Sequence, residues 1–450
     1  MTEEPELPEP LLNSSAAVFD DFARHRPWFI RATILSGLGN SMAWLATSYV
    51  VYANSGSVAI SALVTVVSSV PSLFLGGAAT SLSGKYSAAK LYICGGVALG
   101  IVGFVPVFFS LAGELATRNL LLWYLLIGII SGLTAPAGAM VTRFLAPADA
   151  VPEFNASITK AKAISSVIGL LLGGAIYAAL GPTWIYLFSA LTFFAPVLAV
   201  LPVTGKAPQA VAQGKFREIL QLRKSQPGLR AVFAACMISC VGGSFTVTLP
   251  AVAAEIGSGA WILSILQTAY VIGGLVVVVA VKRFHSRVKW GQMQRMCVLV
   301  AGVGLVGMAF VTKMNASPGR VFVIVVLLLL PVGLAFAIDI SVLAALVQVH
   351  SPEESRGSIL TAYHMVPMLI FPVAQEIVGL LSDQYSLAAG FWVCGGILLI
   401  VLPIGKRMGI GAAINVLDDS DGPPEVTAVV PRSVTVHDRH IEATVDEQPA

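Results

Sequence analysis

The chain has 450 residues, of which 56% are hydrophobic and only 11% are charged, and its mean hydropathy is +0.83. A soluble protein of this length would carry roughly 25% charged residues, so the composition excludes a soluble globular protein. The net charge of +3 is small, and no basic patch typical of nucleic-acid binding is present.

Twelve apolar segments follow one another along the chain, separated by short stretches rich in charged or turn-forming residues. At a rise of ~1.5 Å per residue, about 20 residues are enough to cross a ~30 Å hydrocarbon core. We therefore predict an all-α polytopic membrane protein with twelve transmembrane helices in two six-helix bundles. The segments lie at residues 29–52, 59–82, 91–111, 120–144, 157–180, 184–203, 231–254, 261–281, 293–312, 321–347, 358–381 and 387–404.

The positions of the lysine and arginine residues predict the orientation, because short cytoplasmic loops retain cations. With both termini in the cytoplasm, only Arg118, Lys313 and Arg320 fall on the outer side. The longest internal connector follows the sixth segment and divides the chain into two halves. We expect a disordered cytoplasmic tail at 1–28, a first bundle at 29–203, a cytoplasmic linker at 204–230, a second bundle at 231–408 and a disordered cytoplasmic tail at 409–450.

The first and fifth segments contain closely spaced glycines. Those of the first belong to the stretch GLGNSMAW, which also places Asn40 and Trp44 at membrane depth. In the fifth segment Gly169, Gly173 and Gly174 are predicted to lie on one face, where small residues let two helices approach closely.

The loop before the fifth segment recurs before the eleventh. Glu153, Ser157 and Ile158 each have an identical residue 201 positions later. Because these matches fall at equivalent points of the two halves, they indicate an internal repeat.

Ionisable residues within the tenth and eleventh segments are candidates for proton coupling, because such residues are tolerated in a membrane where they face protein or water. Asp339 lies ~12 Å and His364 ~9 Å from the inner ends of their segments. If the two meet, they form either a proton relay or a structural pair between helices. Glu376 is a further candidate carboxylate, or a group that binds a substrate amine. Glu255 and Asp383 are expected to be only solvated carboxylates at the outer ends of their segments.

A substrate cavity is expected near the membrane midplane, between the two halves. The candidate lining residues are Asn40 and Trp44 in the first segment, Gln267 and Tyr270 in the eighth and Tyr363 in the eleventh. Aromatic walls suit bulky, partly apolar ligands. The alternative role for Trp44 and Tyr270 is packing.

Several stretches resemble the major facilitator superfamily, and within it the bacterial enterobactin-exporter-like and macrolide-efflux-like proteins. ISGLTAPAGAMVTRFLAPADAVPEFNASI is similar to the fourth helix and following loop of that branch, and LGGAIYAALGPTWIYLFSALTF to its fifth and sixth helices. LVQVHSPEESRGSI and FPVAQEIVGLLSD are similar to its tenth and eleventh helices. The resemblance implies a secondary transporter, located in a bacterial inner membrane.

The resemblance also marks residues of the family's conformational motifs, with departures. A glycine replaces the usual Asp in the loop between helices two and three, the Gly-Pro pair of helix five is reduced to Gly-Leu, and the fourth segment has no Arg at its middle. The best-known scheme of proton antiport is therefore incomplete here. The residues at these motif positions are Gly84, Lys85, Lys90, Gly169, Gly173, Gly174, Glu354, Arg356 and Gly357.

These observations favour a secondary transporter that exports small amphipathic molecules, such as a drug, a siderophore or another metabolite, by proton-driven alternating access. Export depends on the branch resemblance. Proton-linked uptake of a small nutrient and a transporter-fold sensor without coupled transport remain alternatives. A membrane enzyme is disfavoured because all outer loops are short, and the chain has no GxxxxGK[ST] loop for ATP-driven transport.

The expected partners are a small-molecule substrate, protons and the lipid bilayer, without nucleic acid. We expect the chain to act as a monomer and to need no cofactor, no metal and no catalytic residue.

Overall fold

The computed structural model describes residues 9–145, 150–203, 227–257, 259–276, 290–351 and 356–407. Within these ranges the chain is helical and has no β-strand, so the predicted all-α class is confirmed. The helices are α1 (Glu9–Ser55), α2 (Val58–Phe74), α3 (Gly76–Lys85), α4 (Ala88–Gly103), α5 (Val105–Leu111), α6 (Thr117–Phe144), α7 (Val151–Leu180), α8 (Pro182–Thr192), α9 (Phe194–Val200), α10 (Pro227–Gly243), α11 (Leu249–Gly257), α12 (Ala260–Leu275), α13 (Trp290–Val311), α14 (Pro318–His350), α15 (Arg356–Gln384) and α16 (Leu387–Arg407).

The helices correspond to the predicted apolar segments. In the described part of the chain, eight helical stretches are long and apolar enough to cross a membrane, and three shorter apolar helices lie at Val58–Phe74, Ala260–Leu275 and Leu387–Pro403. Together with α1 they account for the twelve segments. The predicted tail at 409–450 and most of the predicted linker, at 204–226, lie outside the described residues.

Helix α1 differs from the sequence expectation at its start. It begins at Glu9, within the tail that was expected to be disordered. Between Leu11 and Arg26 the sequence contains neither glycine nor proline, so no residue in this stretch interrupts a helix.

The two halves of the chain pack in the same pattern. In the first half α1 lies against α7, and α2 lies against α6. In the second half α10 lies against α15, and α12 lies against α14. These are equivalent pairs, the first span with the fifth and the second with the fourth. Contacts between the halves join α2 to α15 and α7 to α12.

Glycines at equivalent positions allow the second and fourth spans of each half to touch. A Cβ atom on Gly132 of α6 would lie 2.8 Å from the Cα atom of Ser72 on α2. A Cβ atom on Gly333 of α14 would fall on the carbonyl oxygen of Tyr270 on α12. Gly132 and Gly333 are separated by the same 201 positions as the loop repeat. The repeat therefore extends to backbone packing.

The turn between α1 and α2 defines one end of the bundle. Gly56 has a φ of 63°, a left-handed conformation that glycine adopts without steric cost. Ser57 then caps α2, its hydroxyl accepting a hydrogen bond of 3.0 Å from the N–H of Ile60. We call this the outer end, formed by the connections at 56–57, 112–116, 181, 312–317 and 385–386. The cation distribution predicts that it faces away from the cytoplasm.

We predict that Gly333→Ala destabilises the protein by about 1–3 kcal/mol, because the added methyl group must displace the backbone of α12. The measurement is unfolding of the purified protein in detergent. Gly396→Ala on α16 is the matched control, since a Cβ atom there meets nothing within 4 Å and alanine favours a helix by about 1 kcal/mol over glycine. Equal stability of the two variants would contradict the described packing of α12 on α14.

Candidate functional site

A cavity of about 380 Å³ lies between the two halves. Polar side chains from both halves line it, together with a few aromatic rings. Its polar and aromatic lining residues are Asn40, Ser41, Trp44, Ser48, Ser61, Thr65 and Ser166 from the first half, and Thr246, Gln267, Tyr270, Phe371 and Gln375 from the second.

Helical spacing brings these residues to the cavity. Asn40, Trp44 and Ser48 follow one another at intervals of four residues on α1, and so lie on one face. Ser61 and Thr65 on α2, and Phe371 and Gln375 on α15, have the same spacing. Each of these helices therefore presents a single polar or aromatic stripe to the cavity.

Four of the five candidate cavity residues line this cavity: Asn40, Trp44, Gln267 and Tyr270. Tyr363 does not line this cavity. Its ring packs edge-on against Phe233 of α10, with 6.3 Å between ring centroids. Tyr363 is twelve residues from Gln375, or about 18 Å along α15, and so lies in a different layer of the bundle.

Asp339 is buried inside the second half, with 3% of its surface exposed. Its carboxylate accepts a hydrogen bond from the hydroxyl of Ser239 on α10. A second hydrogen bond of 3.1 Å comes from Nε2 of Gln294 on α13. The carboxylate thus joins three helices, and neither partner is charged. It does not line the cavity.

The expected contact between Asp339 and His364 is not formed. His364 is exposed on α15, and its ring lies 5.6 Å from that of the neighbouring Tyr363. The reason is helix packing: α14 lies mainly against α12 and α13, whereas α15 lies against α10 and α2. The tenth and eleventh spans, although consecutive in sequence, are therefore not close partners.

Glu376 is half-buried on α15, next to Gln375. One of its carboxylate oxygens, Oε2, is buried without a hydrogen-bond partner in the described part of the chain. Glu376 is not among the residues that line the cavity. Direct binding of a substrate amine by this carboxylate in the cavity is therefore not supported by its position.

The glycines of the fifth span face two different helices. Gly169 and Gly173 pack against α1, where Cβ atoms would lie 2.8 Å from the carbonyl oxygen of Leu38 and 3.2 Å from the Cα atom of Met42. Gly174 instead faces Ser264 of α12. The expectation of one shared face is corrected, because adjacent positions differ by about 100° around a helix.

The remaining motif residues lie toward the opposite end from the outer one. Lys85 and Lys90 are exposed at the end of α3 and in the first turn of α4. Gly84 belongs to α3, and α15 begins with Arg356 and Gly357. Glu354 lies outside the described residues.

A carboxylate holds the two halves together at the outer end. Asp383, at the end of α15, accepts hydrogen bonds of 2.8 Å from the N–H of Val58 and 3.0 Å from the N–H of Ala59. The Ser57 hydroxyl donates a third bond of 2.5 Å. These donors form the first turn of α2, whose positive dipole end favours an anion. Asp383 was expected to be only a solvated end, and this expectation is corrected.

One turn inward from Asp383, the backbones of the two halves touch. A Cβ atom on Gly379 of α15 would lie 2.6 Å from the Cα atom of Ala59 on α2. Gln375 follows one further turn inward and lines the cavity. The seam between α2 and α15 therefore closes the cavity on its outer side.

The second seam, between α7 and α12, is closely packed, and it contains buried hydroxyls that have no partner in the described part of the chain. Gly174 packs on Ser264 and near the ring of Trp261. The hydroxyls of Ser264 and Thr268 are buried in α12 without hydrogen-bond partners in the described part of the chain. Unpaired buried hydroxyls cost free energy, so this seam lacks the polar contacts that stabilise the α2–α15 seam.

The lining residues become more exposed toward the end opposite the outer one. Ser61, one turn into α2 from the outer end, is buried, whereas Asn40, two turns from Ser48 along α1, is exposed. The conformation is therefore closed at the outer end and open at the other. With the predicted orientation it faces inward.

No cluster of three or more His, Cys, Asp or Glu side chains in the described ranges is placed to hold a metal ion.

A polytopic helical protein built from two similar halves, with a central polar cavity closed at one end, has the architecture of a secondary membrane transporter. The family model of the Major Facilitator Superfamily matches residues 30–374. The chain belongs to the Major Facilitator Superfamily. A search of curated proteins finds no significant match, and the enterobactin-exporter-like and macrolide-efflux-like branch is not identified by the comparisons.

Solved structures with the same fold are transporters of different kinds. A bacterial homologue of the iron transporter ferroportin, in an inward-facing state, has a TM-score of 0.69 at 12% identity, covering 86% of this chain and 98% of that one. The nucleoside transporter NupG has a TM-score of 0.66 at 14% identity, covering 85% and 98%. A bacterial homologue of the lysosomal transporter Spinster, also inward-facing, has a TM-score of 0.58 at 13% identity, covering 90% and 97%. At these identities the likeness concerns the fold.

We predict that Asp383→Ala opens the outer end, because the three hydrogen bonds that this exposed carboxylate accepts from the start of α2 are lost, each weakened by solvent screening. The reporter is a cysteine at Ser61, labelled from the outside with a membrane-impermeant maleimide in a Cys94→Ser background, since Cys94 is the exposed native cysteine. Labelling should accelerate about tenfold, the equivalent of ~1.4 kcal/mol. Gln384→Ala, at an exposed neighbouring position, is the control. An unchanged labelling rate in Asp383→Ala would show that the carboxylate does not hold the seam.

Proposed function

We propose that this protein is a secondary active transporter that exports small amphipathic molecules across the cell membrane by alternating access, as a proton antiporter. The observation that carries the proposal is the cavity between the two halves, lined by both and closed at the outer end by Asp383. A cavity shared by two halves changes its accessible side when the halves rock against each other.

Asp339 is proposed as the proton-carrying group. A lone buried carboxylate is costly when charged and much less so when protonated. The two neutral partners, Ser239 and Gln294, come from different helices, so a change of charge alters the contacts that hold α10, α13 and α14 together. His364 and Glu376 lie elsewhere on α15, and neither contributes a hydrogen bond to this carboxylate.

The packing of α14 supports communication between Asp339 and the cavity. Gly333, less than two turns from Asp339 on α14, lies directly against the backbone of Tyr270 on α12. Helix α12 also carries Gln267, and both residues line the cavity. A displacement of α14 on protonation therefore reaches the cavity wall without an intervening side chain.

The direction is proposed as export because of the sequence stretches that resemble the exporting branch. Loading from the cytoplasm is compatible with a cavity that is open opposite the outer end. The cation distribution supports both termini in the cytoplasm, and hence this orientation. Proton-linked uptake, the alternative, gives the opposite result in the assay below.

We predict that Asp339→Asn abolishes energised transport but retains exchange, because the amide preserves a polar group and cannot release a proton. The assay uses inside-out vesicles with a respiration-driven, interior-acid gradient and a panel of labelled amphipathic solutes that includes phenyl β-D-glucoside. Wild-type vesicles should accumulate solute, which indicates export. Asp339→Asn vesicles should match vesicles without the protein, while exchange of labelled for unlabelled solute across the membrane continues.

The control for this experiment is Glu255→Gln, at an exposed position near the outer end, which should accumulate solute as the wild type does. Full accumulation by Asp339→Asn would remove this carboxylate from the coupling mechanism. Gradient-driven loss of solute from preloaded wild-type vesicles would show that the direction of transport is uptake and not export.

A further inference from the structure

The lining of the cavity excludes ionic recognition. Of the described residues that line it, none is Asp, Glu, Lys, Arg or His. A charged ligand enclosed there would lose hydration without gaining an opposite charge, which is strongly unfavourable. Glu376 follows the lining residue Gln375 in the sequence but does not itself line the cavity. The site therefore selects against both cations and anions.

The orientation of one carboxamide is determined by its hydrogen bonds. The hydroxyl of Thr246 donates its only proton to the carbonyl oxygen of Gly243, at 3.2 Å. Thr246 Oγ1 can then only accept from Gln375, whose Nε2 lies 3.2 Å away. The side-chain oxygen of Gln375 is thus the atom left free. It is buried and has no partner in the described part of the chain.

Gln267 adds a second acceptor of the same kind. Its side-chain oxygen is also buried without a partner among the described residues, and it lines the same cavity from α12. A buried acceptor without a partner costs free energy until a donor reaches it. Two such oxygens, on α12 and α15, call for a ligand that carries at least two O–H or N–H donors.

Two aromatic rings of the cavity wall, one from each half, are each supported by a neighbouring ring. Trp44 is held edge-on by Tyr124, with 6.1 Å between ring centroids. Tyr270 is held edge-on by Phe245, at 5.6 Å. Because these supports fix the two rings before a ligand arrives, they suit a flat, rigid ligand group.

We infer that the substrate is an uncharged molecule that combines a ring with several hydroxyl or amide N–H donors, of the chemical type of an aryl glycoside. The donors bind the side-chain oxygens of Gln267 and Gln375, and the ring lies against Trp44 or Tyr270. This inference rests on the proposed transport function, which it deepens by naming the class of substrate.

The test measures binding to the purified full-length protein in detergent, as the ligand-dependent rise of its unfolding temperature. Three probes share a phenyl ring and differ in charge: phenyl β-D-glucoside, phenyltrimethylammonium and phenyl phosphate. The glucoside should stabilise the protein in a concentration-dependent manner, and the two ions should not. Stronger stabilisation by either ion, or none by all three probes, would overturn the inference.

A charge substitution sharpens the test. Gln375→Glu replaces the carboxamide by a carboxylate and removes the Nε2 donor to Thr246. Phenyltrimethylammonium should therefore begin to bind, and the preference for the glucoside over this cation should fall at least about tenfold. Gln292→Glu, at an exposed position on α13, is the matched control and should keep the wild-type preference. If Gln375→Glu does not fold, Gln267→Glu makes the same test. Unchanged probe preference in a folded cavity variant counts against the inference.

The outcome is separable from that of the transport experiment. Binding in detergent needs neither a gradient nor Asp339. A protein that binds the glucoside but does not accumulate it in energised vesicles would refute the proposed transport and retain the ligand class.

Discussion

The contact between Asp383 and the first turn of α2 is the interaction on which the described conformation depends. It joins the two halves where both backbones already touch, and it places three hydrogen-bond donors on one carboxylate. The repeat has no equivalent of this contact on the other seam. Shifting Asp383 back by the repeat offset of 201 gives Pro182, which has no acceptor side chain. One seam is therefore a polar clamp and the other is a packed contact.

This asymmetry gives the two seams different energetic roles. The α2–α15 seam gains from charge-assisted hydrogen bonds, whereas the α7–α12 seam leaves the hydroxyls of Ser264 and Thr268 without partners in the described chain. Opening to water would satisfy those hydroxyls. The closed outer end is thus stabilised at one seam and opposed at the other, and the two effects act in opposite directions on the equilibrium between the conformations. A transporter that must visit both conformations needs such a balance.

Sequence reasoning succeeded where the membrane itself imposes the constraint. The apolar segments predicted the helices, and polar residues at depth led to Asn40 and Gln267, because such residues rarely face lipid. It failed where the answer depends on which helices touch. Tyr363 is on α15, which lines the cavity, but it lies about 18 Å along that helix from the lining residue Gln375. Asp339 was matched with the next span, whereas its partners come from the seventh and ninth.

Asp383 was missed for a related reason. A carboxylate at a helix end is usually solvated. Asp383 accepts the N–H groups of the first turn of α2 only because α2 begins next to it. A partial signal existed, since Ser57 after a glycine marks the start of a helix that needs its N–H groups satisfied. The sequence near Ser57 does not reveal that Asp383 is the second acceptor, because Asp383 lies more than 300 residues away.

The backbone contact of α12 with α14 has a thermodynamic consequence. Gly333 and Gly273 lie against each other's helices with no side chain between them, so the aromatic wall at Tyr270 and the buried acid six residues from Gly333 belong to one stiff unit. By thermodynamic linkage, any two coupled sites influence each other's affinity by the same factor. If proton release from Asp339 changes the affinity for a bound solute by some factor, binding of the solute changes the proton affinity of Asp339 by that same factor. Coupling would then depend on the close helix packing at Gly273 and Gly333 as well as on the residues that bind the proton and the solute.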